Sequence, residues 1–311
     1  MSIIEKAANR LLETLSQTDA PRRTDAPTSI ALAADSAAAK ASRKLPGEDL
    51  AAAKLQGETE RRQPVSPKYG QIDLARLRKA GMITPDGEKT KISEEFRIIK
   101  RPLLINAFNQ GAVPISHGNL IMVTSSFPGE GKSFSAINLA MSIAMERDHT
   151  VLLVDADVAK PSIPAFLGLE SGKGLMDLLL DDDLQFSEVL IKTNVDKLNI
   201  LPAGRSDPRA TELLASEGMS RLLDEMAQRY PDRIIIFDSP PLLATTEART
   251  LARKMGQIVM VVEATKTPQE AVREALSQIE NCEVVGLLLN KSSSVLGNDP
   301  FTYGTYGGYG S

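Results

Sequence analysis

The chain has 311 residues, 42% hydrophobic and 24% charged, with a formal net charge of −4 at pH 7. That is room for one large α/β domain or two smaller ones, and it excludes a globally basic surface for wrapping nucleic acid. A single cysteine, Cys282, excludes an internal disulfide framework and fits a reducing compartment. No stretch approaches the ~18 apolar residues of a membrane span, and the opening MSIIEKAANR lacks the apolar core of a secretory signal. The expected location is cytoplasmic, with membrane association only through a partner.

Residues 1–88 are polar, Ala-rich and punctuated by Pro. The stretch TSIALAADSAAAKASRKLPGEDLAAAK has too few large apolar residues to offset the entropy of ordering, which predicts a low-complexity region with short helices. Ile3, Ile4, Ala7, Leu11, Leu12 and Leu15 recur at helical spacing, as a docking helix or as one that frays. DLARLRKAGMI is a second, weak helical pattern.

Residues 89–291 alternate between strands and helices. NLIMVTS, TVLLVDA, KLNILPAG, RIIIFDSPP, QIVMVVEA and EVVGLLLNK are short continuous apolar runs, the pattern of parallel strands covered on both faces. Helical patterns lie between them, over 133–147, 217–229 and 268–280. The expected fold is α/β, a doubly wound, mostly parallel sheet with helices on both faces. From 292 the chain reads SSSVLGNDPFTYGTYGGYGS, a flexible tail by composition. Three of the five tyrosines, Tyr303, Tyr306 and Tyr309, fall there.

After the first of these strands come Ser125-Ser126-Phe127-Pro128-Gly129-Glu130-Gly131-Lys132-Ser133, then a helix. G-K-S at a strand-to-helix turn is the core of a phosphate-binding P-loop, although Ser126 stands where the strict pattern has its first glycine. Gly129 and Gly131 let backbone N–H groups turn around phosphate oxygens, and the following helix aims its positive end at the same anion. Gly129, Glu130, Gly131, Lys132, Ser133 and Phe134 are the predicted nucleotide contacts, with Lys132 reaching the β- and γ-phosphates and Ser133 holding Mg²⁺. The alternative is an ordinary Gly-rich turn; the strand before and the amphipathic helix after favour nucleotide.

Asp155 and Asp157 leave the strand VLLVDA two residues apart, so both carboxylates can face one site. Asp238 ends IIIFD. Ligands of open parallel sheets sit at the carboxyl ends of the strands, so the three acids and the loop meet at one edge. Mg²⁺ suits one or two carboxylates with waters and phosphate oxygens; a further carboxylate is free to orient or deprotonate an attacking hydroxyl. Asn290-Lys291, ending the last strand, reads equally as a base contact or a plain turn.

The loop, VLLVDAD and IIIFDSPPLL together resemble the bacterial tyrosine kinases, P-loop proteins unrelated to eukaryotic kinases. EEFRIIKRPLLINAF is similar to the helix preceding their first strand, and the C-terminal tyrosines are their other hallmark. With LASEGMSRLLDEM, the wording is most similar to the exosortase-associated tyrosine autokinases of exopolysaccharide gene clusters. The match covers about 89–311.

The resemblance implies ATP and Mg²⁺ as cofactors and a P-loop NTPase fold. Catalysis falls to Lys132, Asp155, Asp157 and Asp238. Ser133, Asp157 and Asp238 would hold the metal, and Asp155 would orient or deprotonate the tyrosine hydroxyl. Tyr303, Tyr306 and Tyr309 would be the phosphoacceptors. It implies rings in which one subunit's tail enters the next subunit's site. Their helix motif E-x-x-R-x-x-R reads here as Glu94, Arg97 and Lys100, the lysine departing from the pattern. It further implies a membrane polysaccharide co-polymerase of the chain-length-determining family as activator, recruitment to the inner membrane through it, a cognate tyrosine phosphatase, and no nucleic acid. Phosphates on the tail are expected to repel it from the acidic site and loosen the ring. Two rival readings stand beside this one. An ATPase switch of the partition or septum-positioning type would carry an extra lysine where this chain has Phe127. A nucleotide-binding regulatory subunit would bind without transferring phosphate.

Overall fold

The computed structural model describes residues 68–111, 113–279 and 282–292, all within the unit Pro64–Ser311. The helical stripe at residues 3–15 and the tail tyrosines lie outside the described residues.

All six apolar runs form strands of one eight-stranded sheet. In chain order its strands are β1 (Lys68–Gly70), β2 (Leu120–Ser125), β3 (Thr150–Asp155), β4 (Ile191–Thr193), β5 (Leu198–Leu201), β6 (Arg233–Asp238), β7 (Gln257–Glu263) and β8 (Val284–Asn290). The spatial order is β1-β4-β5-β3-β6-β2-β7-β8. Every pairing is parallel except β4 with β5. β1 and β4, three residues each, are too short to stand out as apolar runs.

The helices are α1 (Leu74–Lys79), α2 (Lys91–Ala107), α3 (Lys132–Ala144), α4 (Ile163–Leu167), α5 (Leu175–Leu180), α6 (Phe186–Val189), α7 (Ala210–Ala215), α8 (Glu217–Arg229), α9 (Thr246–Ala252) and α10 (Gln269–Ser277). The continuous apolar runs are explained by two cores, one on each face of the sheet. Successive strand residues alternate between them. Ile121 and Val123 pack with Phe96 and Leu103 of α2 and Ile137 and Met141 of α3. Leu120 and Met122 pack with Met219 and Leu223 of α8, Leu251 of α9 and Ala275 of α10.

The packing does not respect the expected division at residue 88. β1 extends the sheet beside β4, and Ile72, Leu77, Met82 and Ile83 are buried in the first core. Asn138 of α3 secures this segment by accepting from the Ile83 N–H at 2.8 Å. Among the described residues no helix is long and apolar enough to cross a membrane.

Candidate active site

β2 is wholly buried and delivers the chain to the sheet's carboxyl edge, where it turns through 126–131 into α3. Gly129 (φ +89°) and Gly131 (φ +100°) are both left-handed, a conformation strained for other residues. Gly131 is the N-cap of α3 and has no side chain to accept from the first amides. Those amides and the helix's positive end suit an anion. Ser126, the residue in place of the missing glycine, is buried with its hydroxyl unpartnered.

The loop is braced from within and from behind. The buried carboxylate of Glu130 accepts from the Phe127 N–H at 2.8 Å and from the Thr267 hydroxyl. Asn290 Nδ2 donates to the Glu130 carbonyl at 2.8 Å, and Lys291 Nζ to the Gly129 carbonyl at 2.7 Å. These contacts were not legible beforehand. An acid inside a phosphate loop was the one available signal, and Thr267 carried none.

β3, β6 and β2 are consecutive in the sheet, which gathers the acids around the loop. Asp155 and Asp238 are direct register partners on β3 and β6. Asp238 is fully buried, and neither of its carboxylate oxygens has a hydrogen-bond partner. Burial pushes its pKa up to about 7, against the pull of the Lys132 ammonium 3.9 Å away. Burial likewise pushes Asp155 up to about 6, opposed by the amides of Ile163 and Ser162. Both amides bind Asp155 Oδ2, at 2.9 and 2.8 Å, and so fix the start of α4. Oδ1 is buried and unpartnered. Asp157 accepts from Lys132 Nζ at 2.9 Å through one oxygen and from the Lys160 N–H at 3.1 Å through the other.

This arrangement fits Mg²⁺ and a polyphosphate. Asp155 Oδ1 is a buried acceptor without a donor, and Asp238 is buried with the Lys132 ammonium 3.9 Å away, an arrangement that a further cation or a proton would stabilise. The glycine cradle faces the same edge. Among the described residues no three acidic, histidine or cysteine side chains form a metal cage by themselves. A metal here would complete its shell with phosphate oxygens and water, drawing on Ser133, Asp157 and Asp238.

The helix motif divides. Arg97 donates to Glu94 at 2.9 Å on the exposed side of α2. Lys100 turns inward, and so leaves the expected interface trio. It is buried, donates to the Ser142 carbonyl at 2.5 Å and pairs with Glu146 at 2.7 Å. Six residues along a helix rotate a side chain by about 120°, enough to carry it from the outer face to the core.

The chain is similar to known proteins in sequence and in fold. A family profile described as an AAA domain matches residues 118–290. The tyrosine-protein kinase YwqD of Bacillus subtilis (strain 168) is 33% identical over 192 residues, 61% of this chain and 77% of that protein. The tyrosine-protein kinase CpsD of Streptococcus agalactiae is 29% identical over 194 residues, 61% of this chain and 81% of that protein. Among solved structures, the chimerical protein CapA2B2 superposes with a TM-score of 0.58 at 28% identity, covering 72% of this chain and 93% of that one.

Proposed function

The chain belongs to the bacterial tyrosine-protein kinases, and from that premise we propose that it is an ATP-dependent autokinase that phosphorylates Tyr303, Tyr306 and Tyr309. The observation that carries the reading is Lys132, held between Asp157 and Asp238 at the mouth of a left-handed glycine loop. A cation poised between two carboxylates can be surrendered to phosphate oxygens, and the carboxylates it leaves are then free for Mg²⁺. Bound Mg²⁺ would supply charge neutralisation of the transferring phosphoryl group and its leaving oxygen.

The chain's own residues divide the work. Lys132 and the first amides of α3 hold and orient the phosphates. Ser133, Asp157 and Asp238 offer oxygens to the metal. Asp155, anchored through Oδ2 to two amides, keeps Oδ1 to orient the tyrosine hydroxyl and take its proton. A carboxyl pushed up to about 6 is a better proton acceptor than an ordinary aspartate.

The acceptor tyrosines would be presented in trans, from a neighbouring copy within an oligomer, with Glu94 and Arg97 on the exposed side of α2 as contact residues. The cellular role would be regulation of exopolysaccharide synthesis and export. A membrane co-polymerase would recruit and activate the kinase at the inner membrane, and a cognate phosphatase would reset it. Mixing a Lys132→Met chain with an intact-site chain whose three tail tyrosines are Phe tests the trans step. Phosphate on the Lys132→Met tail supports it, and its absence when each parent chain is folded and the unmodified chain autophosphorylates refutes it.

A further inference from the structure

Asn290 and Lys291 end the last strand, where the sequence allowed a contact with the nucleotide base. Their side chains instead bond two consecutive carbonyls of the phosphate loop, those of Glu130 and Gly129. In a planar trans peptide the C=O and the following N–H point in opposite directions. Drawing the Gly129 and Glu130 oxygens toward β8 therefore turns the amides of Glu130 and Gly131 the other way, toward the cradle.

We propose that Asn290 and Lys291 are positioning residues for the phosphate loop, setting affinity for the phosphates rather than choosing the base. This rests on the reading of the loop as an ATP site. Several independent features fix the pair in that role. The Asn290 carbonyl accepts from the Ala264 N–H at 2.8 Å, which ties the end of β8 to the end of β7. Lys291 adopts a left-handed backbone (φ +56°), uncommon for a residue with a side chain, and its ammonium reaches back both to the loop and to Glu263 at 3.1 Å. A Cβ on Gly131 would lie 2.1 Å from Asn290 Nδ2, so the amide is packed directly against the loop. Thr267, on the turn after β7, accepts from the Glu263 N–H at 3.2 Å and donates to the Glu130 carboxylate. The ends of β7 and β8 thus form one brace behind the loop.

The test compares binding of ATP, GTP and adenosine to the full chain and to Asn290→Ala, Lys291→Ala and Lys291→Arg, with melting temperatures alongside. Loss of either bond is expected to weaken ATP and GTP by the same factor, about tenfold, with adenosine affinity unchanged and Lys291→Arg near the parent. Unchanged ATP affinity in both alanine variants would overturn the proposal. So would an Asn290→Ala effect on ATP but not GTP, the mark of base reading, or an adenosine affinity that falls in step with ATP, the mark of a damaged fold. A folded parent chain that binds no ATP would refute the kinase reading itself.

Discussion

Lys132 and Asp157 are joined by a 2.9 Å charge-assisted hydrogen bond, so the cation expected on the nucleotide's phosphates is held by the acid expected on its metal. In the proposed ATP site, nucleotide would therefore compete with Asp157 for Lys132, and Mg²⁺ would compete with Lys132 for Asp157. The two exchanges help each other when both ligands arrive together.

That competition has opposite signs with and without metal. In EDTA, Asp157→Asn should bind ATP about five- to tenfold more tightly, because Lys132 is released and a negative charge beside the phosphates is gone. With Mg²⁺ the same variant should lose roughly a hundredfold in phosphoryl transfer. Lys132→Met should lose ATP affinity in both conditions. Calorimetric titration in EDTA and in Mg²⁺ checks all three; weaker ATP binding by Asp157→Asn in EDTA would contradict the competition.

Asp238 makes stability depend on pH. Its pKa is raised from 3.8 to about 7, so the folded state binds more protons than the unfolded one between those values. Its stabilising contribution is complete below about pH 4 and is lost as pH rises through about 7. Asp238→Asn removes the ionised group, so the metal-free variant should be more stable than the parent at pH 8, by on the order of 3 kcal/mol. The two should converge near pH 4 to 5. Urea unfolding in EDTA across this range is the measurement, and a pH-independent gap would contradict the assignment.

The two loop glycines should not be equivalent. A Cβ on Gly129 meets nothing within 4 Å, so Gly129→Ala carries only the left-handed backbone strain, about 1–2 kcal/mol. A Cβ on Gly131 adds a clash with Asn290 to the same strain and should cost about 2–4 kcal/mol. Denaturant midpoints of the two variants give the order.

Lys100 and Arg97 share a helix and should behave differently. Lys100→Met strips a buried cation from the Ser142 carbonyl and Glu146 at the negative end of α3, a loss of about 2–3 kcal/mol. Arg97→Ala breaks an exposed i,i+3 pair and should change monomer stability by less than about 0.5 kcal/mol. If the outer side of α2 joins copies, Arg97→Ala shows its effect in sedimentation instead.

How legible all this was depended on distance along the chain. β2, β3, β6 and β7 are buried on both faces, which writes a continuous apolar run into the sequence. Ile72, Leu77, Met82 and Ile83 reach the same core, but the sequence showed only a weak helical pattern there, in a polar stretch with nothing to tie it to the sheet. Asp155 and Asp238 could be placed at strand ends. Their side-by-side register needed the strand order, in which β6 inserts between β3 and β2. The Lys132–Asp157 bond and the brace from Asn290 and Lys291 join residues 25 to 162 positions apart, beyond any local pattern.

The most direct test of the kinase reading is intact mass with tail peptide mapping after incubating the full chain with Mg-ATP, beside Asp155→Asn. Phosphate on Tyr303, Tyr306 or Tyr309 of the parent, absent from Asp155→Asn, is the predicted result. Release of ADP with an unmodified tail would contradict it and leave an ATPase switch in its place.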